Sequence, residues 1–219
     1  MKFRHVIFDC DGVLVDSEPL SMRADVAILK RFGIVMTEVE AHRRFVGKTF
    51  EAMLVEMTAE LGVDFPPGLQ QVKNKMLAEM YERELCIVDG AMDLLEDLKR
   101  RKISCSVASN SPAARVALAL RLTAIETYFG AITSFEDVAS GKPAPDVFLR
   151  AAEIADFEPQ ACVVIEDSVT GVMAGVAAGM RTIGFTGTHH EPEVQGQLLT
   201  NKGAFAVVNC LKEVIHHLA

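Results

Sequence analysis

Two aspartates, Asp9 and Asp11, stand one residue apart where an apolar run ends, in the segment VIFDCDGVLVDSEP at residues 6–19. Alternate side chains of an extended segment share a face, so both carboxylates can reach one space while Cys10 points back into the core. Two like charges gain no stability from such closeness. Either they end an ordinary solvated strand, or a cation and a chemical step use both. A second acidic pair, Glu166 and Asp167, ends the apolar run CVVIEDS at 162–168. Three or four carboxylates converging without a cation would shift one another's pKa strongly. A hard, oxygen-seeking ion is therefore implied. Mg2+ suits a site of few carboxylates that keeps waters and shares a phosphate.

Three further residues fit the same chemistry. Lys142, between Gly141 and Pro143, could offset surplus acid charge and hold a phosphate. Ser109 offers a hydroxyl, and Asn110 a backbone N–H near a helix N-terminus, where an oxyanion is well received. Each has a plainer reading when taken singly: a solvated D-x-D turn, a surface lysine, a serine that caps a helix. Their recurrence at successive strand ends is what favours a site.

The elements that must position them follow from hydrophobic periodicity. FRHVIF at 3–8, ISCSVAS at 103–109, AITSF at 131–135, CVVIEDS, RTIGF at 181–185 and AFAVV at 204–208 read as strands. A helix is expected from about Pro112. Another spans APDVFLRAAEIADF at 144–157, with Val147, Leu149, Ala151, Ala152 and Ile154 at helical spacing, and a last helix closes the chain. The alternation predicts an α/β fold, a Rossmann-like, mostly parallel sheet with helices on both faces. Ligands bind such sheets at the carboxyl ends of the strands, where FDCDG, ASNSP, SGKPAPD and IEDS all fall. From Ser17 to about Cys86 the pattern is helical throughout, with Leu20, Ala24, Ile28 and Phe32 at i, i+4 spacing. Breaks fall at Gly33, Gly47 and GVDFPPG at 62–68. Residues 17–86 are thus expected to form an all-helical lid inserted into a core of residues 1–16 and 87–219, hinged near Asp16–Pro19 and Cys86–Gly90.

Other features read as structural. Gly171, Gly175 and Gly179 recur every four residues, as for a helix packed closely on a sheet. Met53, Met57, Met76 and Met80 suit the core of the helical insert. The pairs His189–His190 and His216–His217 lack further ligands at metal-binding spacing and are expected to be exposed.

Half the residues are apolar and a quarter charged, enough for a sizeable buried core and too hydrophobic for disorder. A net charge of −8 disfavours nucleic acid as partner. The longest uncharged run, Ser168–Met180, has 13 residues against the ~20 a membrane span needs. The N-terminus lacks the apolar core and cleavage site of a signal peptide. The cysteines, five and scattered, read mostly as reduced core residues. The expectation is a cytoplasmic protein, a monomer or weak dimer, with a small-molecule partner and no membrane.

DCDGV, the Ser109 strand end, GKPAPD and IEDS stand in the order and approximate spacing of the four motifs of the haloacid dehalogenase superfamily, which the whole chain resembles. It is similar to the β-phosphoglucomutase-like branch, rich in small-molecule phosphatases, and to bacterial sugar phosphatases, including those acting on 6-phosphogluconate. The resemblance implies that Asp9 is the nucleophile that becomes an aspartyl phosphate, and that Asp11 is the acid and then the base. It implies Mg2+ held by the Asp9 carboxylate, the Asp11 main-chain carbonyl, and Asp167 with or without Glu166. The inserted helices would be the family's cap, and Lys48 a cap contact to substrate, with Arg43 or Arg44 as weaker candidates. The bland reading of Lys48 is a solvated loop lysine. True dehalogenases lack the second acid of the first motif, so Asp11 favours phosphoryl transfer. Mutases carry a histidine where Ser21 aligns and a cap arginine where this chain has Phe50. The resemblance therefore implies a phosphatase, with mutase-type transfer and a non-catalytic phosphosugar-binding regulator as the alternatives.

Overall fold

A computed structural model of the chain describes residues 3–45 and 48–218. The break expected at Gly47 lies outside them. The chain divides into two compact units, Ser17–Leu85 and a unit made of Met1–Asp16 with Cys86–Ala219.

The smaller unit contains helices α1 (Glu18–Arg31), α2 (Glu38–Phe45), α3 (Phe50–Leu61) and α4 (Leu69–Glu84). Pro19 in the first turn of α1 fills a position where no N–H is needed. The Thr49 hydroxyl accepts from Ala52 N at 3.2 Å and caps α3, which Gly62 ends at φ 67°. Ile28, Leu29, Phe45, Phe50, Met53 and Met57 form the unit's core. Leu20, Ala24 and Ile28 are buried, whereas Phe32, beyond the end of α1, is only half-buried. Lys73 and Asp25 make a buried ion pair at 2.7 Å, with the ammonium 4.9 Å from the centre of the Phe50 ring.

The larger unit is built on six strands: β1 (His5–Phe8), β2 (Ser104–Ser109), β3 (Ile132–Ser134), β4 (Cys162–Glu166), β5 (Arg181–Phe185) and β6 (Ala206–Val208). They pair in the order β3-β2-β1-β4-β5-β6, all parallel. β1 and β4 are buried along their whole length, as continuous apolar runs in a covered parallel sheet must be. The helices are α5 (Ala91–Arg100), α6 (Ala113–Leu122), α7 (Asp146–Ile154), α8 (Val169–Ala177) and α9 (Pro192–Asn201). α7 and α8 pack Val147, Phe148, Ala151, Ala152 and Ala174 against Ile7, Ala108 and Val164. Burial of a residue such as Phe148 is worth roughly 1.5–3 kcal/mol.

Two sequence expectations change here, in α7 and at Gly179. Leu149 and Ile154 are exposed, because the face of α7 that meets the sheet is Val147, Phe148, Ala151 and Ala152. The last helix expected is a 3-10 helix, Leu211–His217. Gly179 lies past the end of α8 at φ 74°, where it turns the chain instead of packing on the sheet. Among the described residues no helix is long and apolar enough to cross a membrane.

The sheet order fixes where a site can form. From β1 the chain builds outward to β2 and β3, then returns to the other flank for β4, β5 and β6. The crevice beyond the carboxyl ends of β1 and β4 is the point where that order reverses. Register brings the strands level there: Phe8 pairs with both Val107 and Ile165, and Asp9 N donates to Ile165 O at 2.9 Å.

Candidate active site

Asp9 emerges from β1 nearly enclosed, 6 % exposed, while Cys10 is turned into the core. Asp11 is more open, its side chain 32 % exposed. Gly12 follows at φ 81°, and a Cβ there would stand 2.3 Å from Asp167 Oδ2, so only glycine lets this turn lie against the second acidic strand end. Gly12 is held by its own N–H to Val15 O at 2.9 Å and by Thr188 Oγ1, which donates to its carbonyl at 2.8 Å.

Lys142 reaches into the same space from the loop before α7. Its ammonium donates to Asp9 Oδ1 at 2.5 Å, Glu166 Oε1 at 2.6 Å and Ala108 O at 2.9 Å. An ammonium has three donors, so this lysine is fully satisfied although buried. Two anionic neighbours hold its pKa above the usual lysine range, against the opposing effect of burial. Asn110 sets the loop: its side-chain amide donates to Lys142 O at 3.0 Å and its amide oxygen accepts from Lys142 N at 2.8 Å. The expected contribution of Asn110 was a backbone N–H; the structure adds a side-chain clasp on the lysine. Ser109 is buried, and its hydroxyl accepts from Ser111 N at 3.0 Å.

Glu166 has both oxygens engaged. One takes Lys142, and the other accepts from Ser168 N at 2.8 Å and Ser168 Oγ at 2.9 Å at the start of α8. Gly171 gives it room, since a Cβ there would fall 1.8 Å from Glu166 Oε1. Glu166 thus sits as the partner of Lys142 and of the α8 N-terminus, and Asp167 is the acid that lies against Gly12.

Two neighbours of these acids did not stand out in the sequence. His189 is not exposed as expected: its side chain is 22 % exposed and Nε2 stands 3.3 Å from Asp167 Oδ2. Ser111 donates to Asp11 Oδ2 at 2.5 Å. Ser111 lies in the ASNSP strand end and His189 follows β5, but only the fold brings each of them against an acid of another segment. Lys48 is 40 % exposed and pairs with Glu56 at 2.5 Å; Arg44 pairs with Glu56 and Glu60.

The charges do not balance. Burial first, then Glu166, Asp167 and Asp11, push the Asp9 carboxyl well up, with Lys142 pulling the other way. Asp167 is also raised, chiefly by burial. A carboxylate that is to stay ionised in this setting needs further positive charge nearby. Among the described residues no three His, Cys, Asp or Glu side chains are grouped to hold an ion by themselves. The available oxygens are those of Asp9, the turn at Asp11, and Asp167, whose Oδ2 lies against Gly12 and whose charge raises Asp9. That set fits a hard divalent cation that completes its shell with water and a phosphate.

Comparison with known proteins identifies the family. The family model for haloacid dehalogenase-like hydrolases matches residues 6–185. A phosphorylated carbohydrates phosphatase of Thermotoga maritima is 31 % identical, over 96 % of this chain and 99 % of its own length. A 6-phosphogluconate phosphatase of Escherichia coli is 29 % identical, over 91 % of this chain and 90 % of its own. The crystal structure of a hydrolase of this family from Deinococcus radiodurans, with bound phosphate and sodium, superposes with a TM-score of 0.83 at 30 % identity, covering 100 % of this chain and 96 % of that one.

Proposed function

The chain belongs to the haloacid dehalogenase-like hydrolases, and we propose that it is a Mg2+-dependent phosphatase of a small phosphorylated carbohydrate, a sugar phosphate or sugar-acid phosphate such as 6-phosphogluconate. The observation that carries the reading is the grouping of Asp9, Lys142 and Glu166 beside Asp11 and Asp167 at the point where the strand order reverses. The carbohydrate class rests on the relatives named for it.

Asp9 attacks the phosphorus in line. Its carboxylate oxygen bonds to phosphorus as the ester P–O bond breaks, and Asp11 gives its proton to the departing oxygen. In the second half, Asp11 takes a proton from water, the water oxygen bonds to phosphorus, and the Asp9–phosphorus bond breaks. Lys142 lowers the repulsion between an anionic nucleophile and an anionic phosphate, and Glu166 and Asn110 hold that lysine in place. Ser109 and Asn110 border the phosphate position. Asp9, the Asp11 main-chain carbonyl and Asp167 would hold the Mg2+, with Glu166 as support. When bound, the ion supplies positive charge to the phosphate oxygens and the nucleophile. In the helical unit, which we take as the cap, Lys48 would exchange its Glu56 partner for an anionic or hydroxyl-rich part of the substrate.

A phosphate-release assay over a panel of sugar phosphates, with Mg2+ and with EDTA, tests the proposal. Turnover is expected only with the metal and is expected to vanish in Asp9→Asn. Absence of turnover on every ester, or an active Asp9→Asn enzyme, refutes it. Interconversion of glucose 1-phosphate without phosphate release would instead identify a mutase.

A further inference from the structure

The segment between β5 and α9 is bonded to both acidic turns of the crevice. Thr188 Oγ1 donates to the main-chain carbonyl of Gly12 at 2.8 Å, and Gln195 Nε2 donates to that of Asp167 at 2.6 Å. A carbonyl only accepts, so the threonine must present its hydroxyl proton and the glutamine its NH2 group. One turn follows β1 and the other follows β4. The ladder between these strands runs no further than the bond from Asp9 N to Ile165 O. Its hydrogen bonds therefore do not set how Gly12 and Asp167 stand to each other, although a Cβ on Gly12 would lie only 2.3 Å from Asp167 Oδ2.

Both donors are themselves anchored. Thr186 N donates to Val208 O of β6 at 3.0 Å, and His189 N donates to Thr186 O at 3.1 Å, which closes a turn around Thr188. Gln195 N donates to Glu191 O at 3.0 Å in the first turn of α9. Thr188 and Gln195 are half-buried. Gly12, with no Cβ, has wide backbone freedom, and a bond on its carbonyl fixes the peptide plane next to that of Asp11. The bond from Gln195 does the same for Asp167, whose carboxylate lies against Gly12.

We infer that Thr188 and Gln195 are positioning residues that together set the spacing between the Asp11–Gly12 turn and Asp167, and with it the size of ion that this crevice prefers. The inference rests on the metal assignment of the phosphatase reading above. Mg2+ demands near-octahedral oxygens at about 2.0–2.1 Å, whereas Ca2+ accepts more oxygens at about 2.3–2.6 Å in looser geometry. Turns held at a fixed spacing favour the smaller ion. Turns released from that spacing lose Mg2+ first, because Ca2+ adapts to the wider site.

Mg2+ and Ca2+ are titrated separately into the metal-free whole chain by calorimetry, so the readout is affinity and needs no turnover. Thr188→Val and Gln195→Met nearly keep side-chain size and remove the donor. Each is expected to raise the Mg2+ Kd by ~3- to 10-fold and the pair by ~10- to 100-fold, the range that outer partners of metal ligands contribute. The Ca2+ Kd should change by less than ~3-fold, so the preference for Mg2+ over Ca2+ falls. Thr188→Ser, which keeps the hydroxyl, should bind Mg2+ as the wild type does. Equal loss of both ions would mean a general loosening of the fold and overturn the inference, as would unchanged Mg2+ binding. If the paired variant does not fold, Gln195→Met alone decides. Wild-type protein that binds no Mg2+ would overturn the metal assignment and the inference with it. Wild-type protein that binds Mg2+, and loses it in both variants, yet releases phosphate from no ester would refute the phosphatase reading and leave the inference standing.

Discussion

His5 should give the larger unit a measurable sensitivity to acid. The residue opens β1 and is 1 % exposed. Its ring lies between two hydroxyls of β2, with Nδ1 2.8 Å from Ser104 Oγ and Nε2 2.8 Å from Ser106 Oγ, and it stacks on Phe157 at 5.2 Å. Burial pushes the imidazole from an ordinary 6.5 down to about 4, opposed in part by a main-chain hydrogen bond at Ser104. The folded pKa is thus below the unfolded one. The neutral ring's contribution is complete above pH 6.5 and is lost as pH falls toward 4. At 1.36 kcal/mol per pKa unit the full loss is roughly 3 kcal/mol, of which about 2 kcal/mol should be gone by pH 5. The assay is urea unfolding followed by circular dichroism between pH 7.5 and 5, since the chain has no tryptophan. Other groups titrate in this range, so the informative quantity is wild type minus His5→Gln. That difference should shrink by about 2 kcal/mol from pH 7.5 to pH 5. If it is flat with pH, the ring is not held neutral by its surroundings and the reasoning fails.

Lys142→Met removes the cation from two buried carboxylates and should cost about 3–5 kcal/mol in a metal-free urea titration, with Glu166→Gln in the same chain recovering part of it. Recovery of stability without recovery of turnover would separate the two tasks of the lysine. Gly171→Ala and Gly196→Ala should differ in sign although both positions are helical. The first drives a methyl into Glu166 and should destabilise by about 1–3 kcal/mol. The second meets only ordinary contact with Val207 at 3.4 Å and should stabilise by about 0.5–1 kcal/mol through helix propensity. Thermal unfolding of both variants checks this pair. Lys48→Ala should raise KM for the preferred sugar phosphate about 10-fold, an effect of lost substrate binding, and leave the melting temperature unchanged; an unchanged KM removes Lys48 from the substrate site.

Much of the architecture was legible because two periodicities carry it. Continuous apolar runs that stop abruptly on acids, as in HVIFDCD and CVVIEDS, can only be covered parallel strands with their carboxyl ends at a ligand crevice. The i, i+4 pattern of Leu20, Ala24 and Ile28 specified the inserted helices in the same way. The acids of the site were legible because each lies at the end of such a run, and the lysine because it stands in the polar loop that follows β3. The face that α7 buries was not: Leu149 and Ile154 fit helical spacing as well as Val147 and Phe148 do, and only docking on the sheet chose between them.

The sequence by itself determined the chemical inventory: carboxylates in pairs, one lysine behind a glycine, hydroxyls at strand ends. Tertiary structure decided which of them work on which. It turned Glu166 to Lys142 and to Ser168, used the Asn110 side chain to clasp the lysine loop, brought His189 to Asp167, and set Ser111 and Arg115 against Asp11. Each of these partnerships depends on the side-chain direction of residues far apart in the chain. Periodicity assigns a residue to a strand end or a helix face, but hydrogen-bond geometry is fixed only when the register of the sheet brings those ends together.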